Sequence, residues 1–192
     1  MASFKAIGRL WPPVLFLLLT CFAAPARADD ALWAKLREGG FVVMIRHATA
    51  PGTGDPPGFR LDDCATQRNL SEQGRAEARR IGAAFKRERV PVEEVFSSEW
   101  CRCRETAALA FGRYVAWPAI NSFFSDRATE AQQTAEVRSA AARVARRANL
   151  VLVTHQVNIT AVSGVYPASG EVVVLQPVGD RLEVVGRLRV QQ

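Results

Sequence analysis

Phe41-Val42-Val43-Met44-Ile45-Arg46-His47-Ala48 is the stretch on which the reading of this chain turns. Five apolar residues in an unbroken run have the length of a strand, and a continuous rather than alternating pattern suits a strand covered on both faces. Arg46 and His47 follow at once. In an open α/β sheet, ligands gather beyond the carboxyl ends of the strands, so these two residues mark a candidate site. The arrangement recurs downstream: Ser97-Ser98 with Arg102 follows Val95-Phe96, and Thr154-His155 follows Leu150-Val151-Leu152-Val153. The chain contains two histidines, and each falls at such a position.

Outward from this stretch, Asp30 to Glu38 reads as a short helix stopped by Gly39-Gly40. Pro51-Gly52-Thr53-Gly54-Asp55-Pro56-Pro57-Gly58 is a dense run of breakers and must be loop. Ser71 is a helix N-cap, after which Gly74, Ala78, Ile81 and Phe85 recur at helical spacing with Arg75, Arg79, Arg80 and Lys86 on the other side. Val92, Val95 and Phe96 form a second strand, a helix covers Trp100 to Phe111, and a third spans Glu130 to Arg147. Leu150 to Val153 is the next strand and Val157 to Val162 the helix after it. Glu171 to Leu175 and Leu182 to Val190 read as a closing hairpin turned by Pro177-Val178-Gly179-Asp180. This alternation predicts a three-layer α/β/α sandwich with a mainly parallel central sheet.

The N-terminus stands apart from that domain. Lys5 and Arg9 precede an apolar run from Val14 to Leu19 that continues to Ala24, and Ala26-Arg27-Ala28 supplies a small-x-small cleavage site. The run is shorter than the roughly 20 residues a membrane span needs. The expectation is a signal peptide at 1–28, a single domain at 29–192, a periplasmic or secreted protein, and no stable membrane span after cleavage. Removing 1–28 takes away Lys5, Arg9 and Arg27 but no acid, so the net charge of +6 drops by three. Interspersed signs and so small an excess are a poor footprint for nucleic acid, which is excluded as a partner. Of four cysteines, Cys21 leaves with the signal. An oxidising compartment then favours one disulfide among Cys64, Cys101 and Cys103. Because residues 101 and 103 point in different directions on a helix, Cys64 pairs with one of them only.

Ile45-Arg46-His47-Ala48 resembles the Arg-His-Gly signature of the histidine phosphatase superfamily, the phosphoglycerate-mutase-like proteins. Asn69-Leu70-Ser71-Glu72-Gln73-Gly74-Arg75-Ala76-Glu77-Ala78 is similar to that family's Leu-Thr-x-x-Gly-x-x-Gln-Ala helix start. Ser97-Ser98-Glu99-Trp100-Cys101-Arg102-Cys103-Arg104-Glu105-Thr106-Ala107 resembles its Ser-Ser-Pro-x-x-Arg-x-x-x-Thr-Ala segment, and Val153-Thr154-His155 matches its late histidine. Ala48, Glu99 and Gln156 depart from the pattern. Ala48 adds only a methyl to the usual glycine.

The resemblance implies a phosphoglycerate-mutase-like fold and a histidine acid phosphatase-type phosphoric monoester hydrolase with no cofactor and no metal. A neutral imidazole on His47 is a competent nucleophile toward phosphorus and would form a phosphohistidine. Arg46, Arg102 and a protonated or hydrogen-donating His155 would cradle the phosphoryl oxygens. Asp126 is expected as the proton donor to the leaving group, with Glu130 as the second choice. Arg60, Arg68 and Arg127 could widen an anionic pocket, but each is expected to be a solvated surface charge. The substrate is a small phosphorylated molecule. A short exported member of this kind resembles the lipopolysaccharide core heptose(II)-phosphate phosphatases, which points to an envelope sugar phosphate. The competing readings are a non-catalytic phosphate- or anion-binding module, favoured if neither Asp126 nor Glu130 faces the pocket, and a phosphomutase. A Cys/His metal site lacks the paired CxxC spacing that structural zinc needs.

Overall fold

A computed structural model describes residues 28–190, so the leader expected at 1–28 lies, all but Ala28, outside the described residues. Six strands form one sheet: β1 (Val42–Arg46), β2 (Val92–Ser97), β3 (Val115–Ala116), β4 (Asn149–Thr154), β5 (Val172–Val178) and β6 (Arg181–Leu188), in the order β3-β2-β4-β1-β5-β6. The four strands β3, β2, β4 and β1 run parallel, and β5 and β6 close the sheet antiparallel. Five α-helices flank it: α1 (Ala28–Glu38), α2 (Glu72–Arg87), α3 (Cys101–Phe111), α4 (Glu130–Ala141) and α5 (Gln156–Ser163).

The continuous apolar runs are explained by cover on both sides. Val43, Ile45, Val151, Val153, Val172 and Val174 pack with Leu36 of α1, Ile81 and Phe85 of α2 and Ala107 of α3. Their sheet neighbours Val42, Met44, Leu150, Leu152, Val173 and Leu175 pack with Val137 of α4 and Ile159 of α5 on the opposite face. Side chains alternate along a strand, so a core on each face requires apolar residues at every position. The sandwich is three-layered and mainly parallel, as the alternation predicts.

Local chemistry sets the element ends. Ser71 Oγ accepts from the Gly74 backbone N–H at 3.1 Å, a cap of about 1 kcal/mol. Gly74 is demanded by a close approach: a β-carbon there would lie 2.1 Å from the Thr49 carbonyl oxygen, which presses the start of α2 against the segment just beyond His47. Three details differ from expectation. α4 ends at Ala141 rather than Arg147, because the chain must turn back into β4 and Gly39 packs so closely on the backbone at Arg147 and Ala148 that no β-carbon would fit. The hairpin turns at Gly179-Asp180, leaving Pro177 and Val178 in β5. β3 is a two-residue edge strand, too short to leave a periodic signal.

Candidate active site

Strand register builds the site. β1 and β4 pair in parallel with Ile45 opposite Val153 and Arg46 opposite Thr154, so His47 and His155 emerge side by side from neighbouring strands. The His47 N–H bonds to the Thr154 carbonyl at 2.8 Å, and the ring centroids lie 5.6 Å apart. Ser97 of β2 sits opposite Val153, which brings Ser98 to the same sheet edge. Helices α3 and α5 begin here, α3 with its first N–H, of Cys101, donating to Gln67 Oε1 and α5 with no side-chain cap from His155, so the positive end of α5 favours an anion.

The cleft over this edge measures about 420 Å³ and includes Arg46, His47, Asp55, Arg68, Arg102, Asp126 and His155 in its lining. Four of the five expected site residues meet at its base, and Asp126 joins them at an exposed rim position, accepting from the Ala128 N–H at 2.9 Å. Glu130 does not line the cleft and instead pairs with Arg127 at 2.6 Å.

His47 is buried, and its Nδ1 lies 2.8 Å from the Ala48 carbonyl oxygen. A carbonyl can only accept, so Nδ1 carries the proton and Nε2 is left with a bare lone pair. Burial, then the charge of Arg102, pushes its pKa down to about 3. Ala48 is itself fully buried, without a positive φ, and its N–H donates to Thr106 Oγ1. The methyl that departs from the glycine pattern is therefore accommodated. Glu77 steadies the next residue by accepting from both Thr49 N–H and Oγ1.

His155 is a different kind of histidine. Ser98 Oγ donates to Asn121 Oδ1, so it accepts from His155 Nε2–H at 2.8 Å. Nδ1 is then bare and faces Arg102 Nη2 at 3.5 Å, a group that can only donate. Burial and the Arg102 charge hold its pKa well below the usual value. His155 was expected to be protonated or to donate a hydrogen bond to the phosphoryl group; burial favours the neutral ring, and its one N–H is directed to Ser98.

Two residues were misjudged from sequence. Arg68 was expected at the surface, yet it lines the cleft, with Nε donating to the Gly54 carbonyl and Nη1 to that of Ala50. Arg60 and Arg127 do sit in exposed ion pairs. Asp55, read only as part of a loop, holds Arg102 through Oδ1 to Nη1 at 2.7 Å and Oδ2 to Nη2 at 3.1 Å. It also accepts from Trp100 Nε1 and from the Arg68 N–H. Burial pushes its carboxyl pKa up, but the bonds and charge of Arg102 outweigh that and hold it below the usual range. The only sequence signal was a lone acid among breakers, which specifies a loop and not its destination.

A disulfide joins Cys64 to Cys101, with the α-carbons 5.7 Å apart, and so selects between the two expected partners. Cys103 is free and buried against His155, with Sγ 3.5 Å from Nε2, and burial pushes its thiol up to about 12. Asn158 is buried and donates to the Asn121 carbonyl, so the Asn158-Ile159-Thr160 sequon is a spelling coincidence in a packed helix.

Residues 42–121 match the sequence pattern of the histidine phosphatase superfamily, branch 1. No curated protein matches the sequence. Among solved structures the chain is similar to the protein histidine phosphatase SixA complexed with tungstate, at 14% identity and a TM-score of 0.54, over 78% of this chain and 97% of that one. It is similar to a protein from Thermus thermophilus at 21% identity and a TM-score of 0.53, over 77% and 98% of the two chains. It also resembles a mutant phosphoserine phosphatase from Entamoeba histolytica in complex with phosphoserine, at 11% identity and a TM-score of 0.55, over 79% and 98%. The pattern at 42–121 is similar to that of the histidine phosphatase superfamily, and the fold that carries it is a phosphoglycerate-mutase-like architecture.

Proposed function

We propose that the protein is an exported phosphomonoesterase that works through a phosphohistidine on His47. The observation that carries this reading is the His47 ring: pinned through Nδ1–H to the Ala48 carbonyl, uncharged at neutral pH, and surrounded by Arg46, Arg68 and Arg102. A bare Nε2 attacks phosphorus and the ester oxygen departs. The three arginines offset the negative charge spread over the equatorial oxygens. Asp126 donates the proton to the departing alkoxide, then takes one from the water that cleaves the phosphohistidine and releases phosphate. Its place on the cleft lining favours turnover over simple anion binding, and the pairing of Glu130 with Arg127 away from that lining favours Asp126 as the acid.

Export is supported by the Cys64–Cys101 bridge, which belongs to an oxidising compartment. The substrate class is a small phosphomonoester, with an envelope sugar phosphate as the finer suggestion. Hydrolysis of p-nitrophenyl phosphate by the chain from Asp29 onward tests the reading. His47→Ala should abolish turnover together with an acid-labile phosphate trapped on the protein. Persistent turnover in that variant would refute the covalent mechanism.

A further inference from the structure

Arg102 is 3% exposed, and its five N–H bonds are unequally used. The end of the guanidinium, one hydrogen from each Nη, is taken by Asp55 at 2.7 and 3.1 Å. The remaining Nη1 hydrogen reaches the Arg68 carbonyl at 3.4 Å. On the side edge, Nη2 makes only the stretched 3.5 Å contact with His155 Nδ1, and Nε has no partner among the described residues. Orphaned buried donors are rare and call for an explanation. Here the unsatisfied edge is the one whose Nη2 faces His155, and the satisfied end is the one held by Asp55, all within the same cleft.

Resting on the phosphatase reading, we infer that Asp55 is a positioning residue: by gripping the end of the Arg102 guanidinium it presents the side edge, Nε and Nη2, to the phosphoryl group on its way to His47. The carboxylate is itself held by donors from two other segments, Trp100 Nε1 at 3.0 Å and the Arg68 N–H at 3.1 Å. Asp55 thus ties the loop after the nucleophile to the start of α3. Its single negative charge also leaves Arg46, Arg68 and Arg102 with a net charge of +2, matched to a phosphomonoester dianion. A bidentate carboxylate fixes a guanidinium in plane, so that little reorganisation remains when charge develops on the phosphoryl oxygens.

The test is Asp55→Asn, which keeps the shape and one acceptor oxygen but loses the charge and the two-point grip. A misaligned Arg102 should lower kcat 10- to 100-fold with KM changed less than 3-fold, and raise the vanadate inhibition constant at least 10-fold, with Asp55→Glu recovering part of the loss. Unchanged kcat and vanadate inhibition overturn the inference. So does tighter vanadate binding, which would make Asp55 a competitor seated where the phosphoryl group belongs. If Asp55→Asn does not fold, Trp100→Phe removes one hydrogen bond to the same carboxylate. A 3- to 10-fold fall in kcat there supports the inference and none refutes it. Wild-type protein without turnover or vanadate binding brings down the phosphatase reading itself, whereas an active wild type with an equally active Asp55→Asn brings down this inference alone.

Discussion

Removing the Cys64–Cys101 bridge should cost this protein a large part of its stability. The bridged residues are 37 apart, and the loop they close contains the whole of α2 and β2. In the chain-entropy treatment, closing a loop of that size in the unfolded chain contributes about 4 kcal/mol at 25 °C. For a chain of this length each kcal/mol moves the melting temperature by roughly 2 to 4 °C, so the double variant Cys64→Ser, Cys101→Ser should melt about 8 to 16 °C lower. The bridge has a second effect, because Cys101 adjoins Arg102 and its N–H donates to Gln67 Oε1, on the segment that carries Arg68. Turnover by the surviving folded protein should therefore also decline. Thermal melting of the two proteins, with thiol counting on denatured chain from Asp29 onward, provides the measurement. One reactive thiol in the parent, Cys103, and a clear drop in the variant are expected. Three thiols, or a melting temperature within about 3 °C of the parent, would refute the argument.

The two acids separate by leaving group. Asp126→Asn should slow hydrolysis of alkyl phosphates about 100-fold or more and p-nitrophenyl phosphate much less, since a good leaving group needs little protonation, while Glu130→Gln changes neither; equal losses in both variants would contradict the assignment. Stability should fall as pH drops below about 6.5. His47 and His155 are held neutral in the folded protein with pKa values below that of the unfolded chain, so the unfolded chain binds more protons in that window. Between pH 8 and 5 the cost is about 2 kcal/mol for His47, and His155 adds to it in the same direction. Melting curves against pH check this, with His47→Gln expected to make the slope shallower, and a rise in stability on acidification would contradict it.

The elements and most of the chemistry were readable from local sequence, because these depend on neighbours close along the chain. Apolar runs such as Phe41 to Ile45 and Leu150 to Val153 specify doubly covered strands. Ser71 caps a helix through a bond three residues away, and a polar residue directly after a buried strand must emerge at the sheet edge. His47, His155 and Arg46 were legible for that reason, and Arg102, on α3, by its spacing from Ser97-Ser98. Local pattern failed where length or direction was decided elsewhere: α4 stops early because Gly39 packs against the backbone leading into β4, and β3 exists only because Phe96 and Ser97 offer it an edge.

Which distant residues meet depends on packing across the whole chain. His47 and His155 become neighbours only through the parallel β1–β4 register, and Cys64 reaches Cys101 rather than Cys103 only through the packing of the short 3₁₀ turn Cys64–Thr66 against the start of α3. The Asp55 and Arg68 assignments belong to the same class. A loop rich in glycine and proline carries no periodicity from which its path can be read, and a charged side chain in it is solvated unless distant partners desolvate and bind it. Trp100 and Arg102 supply those partners for Asp55, 45 and 47 residues further along the chain. A long-range ion pair of this kind is a property of the folded state alone.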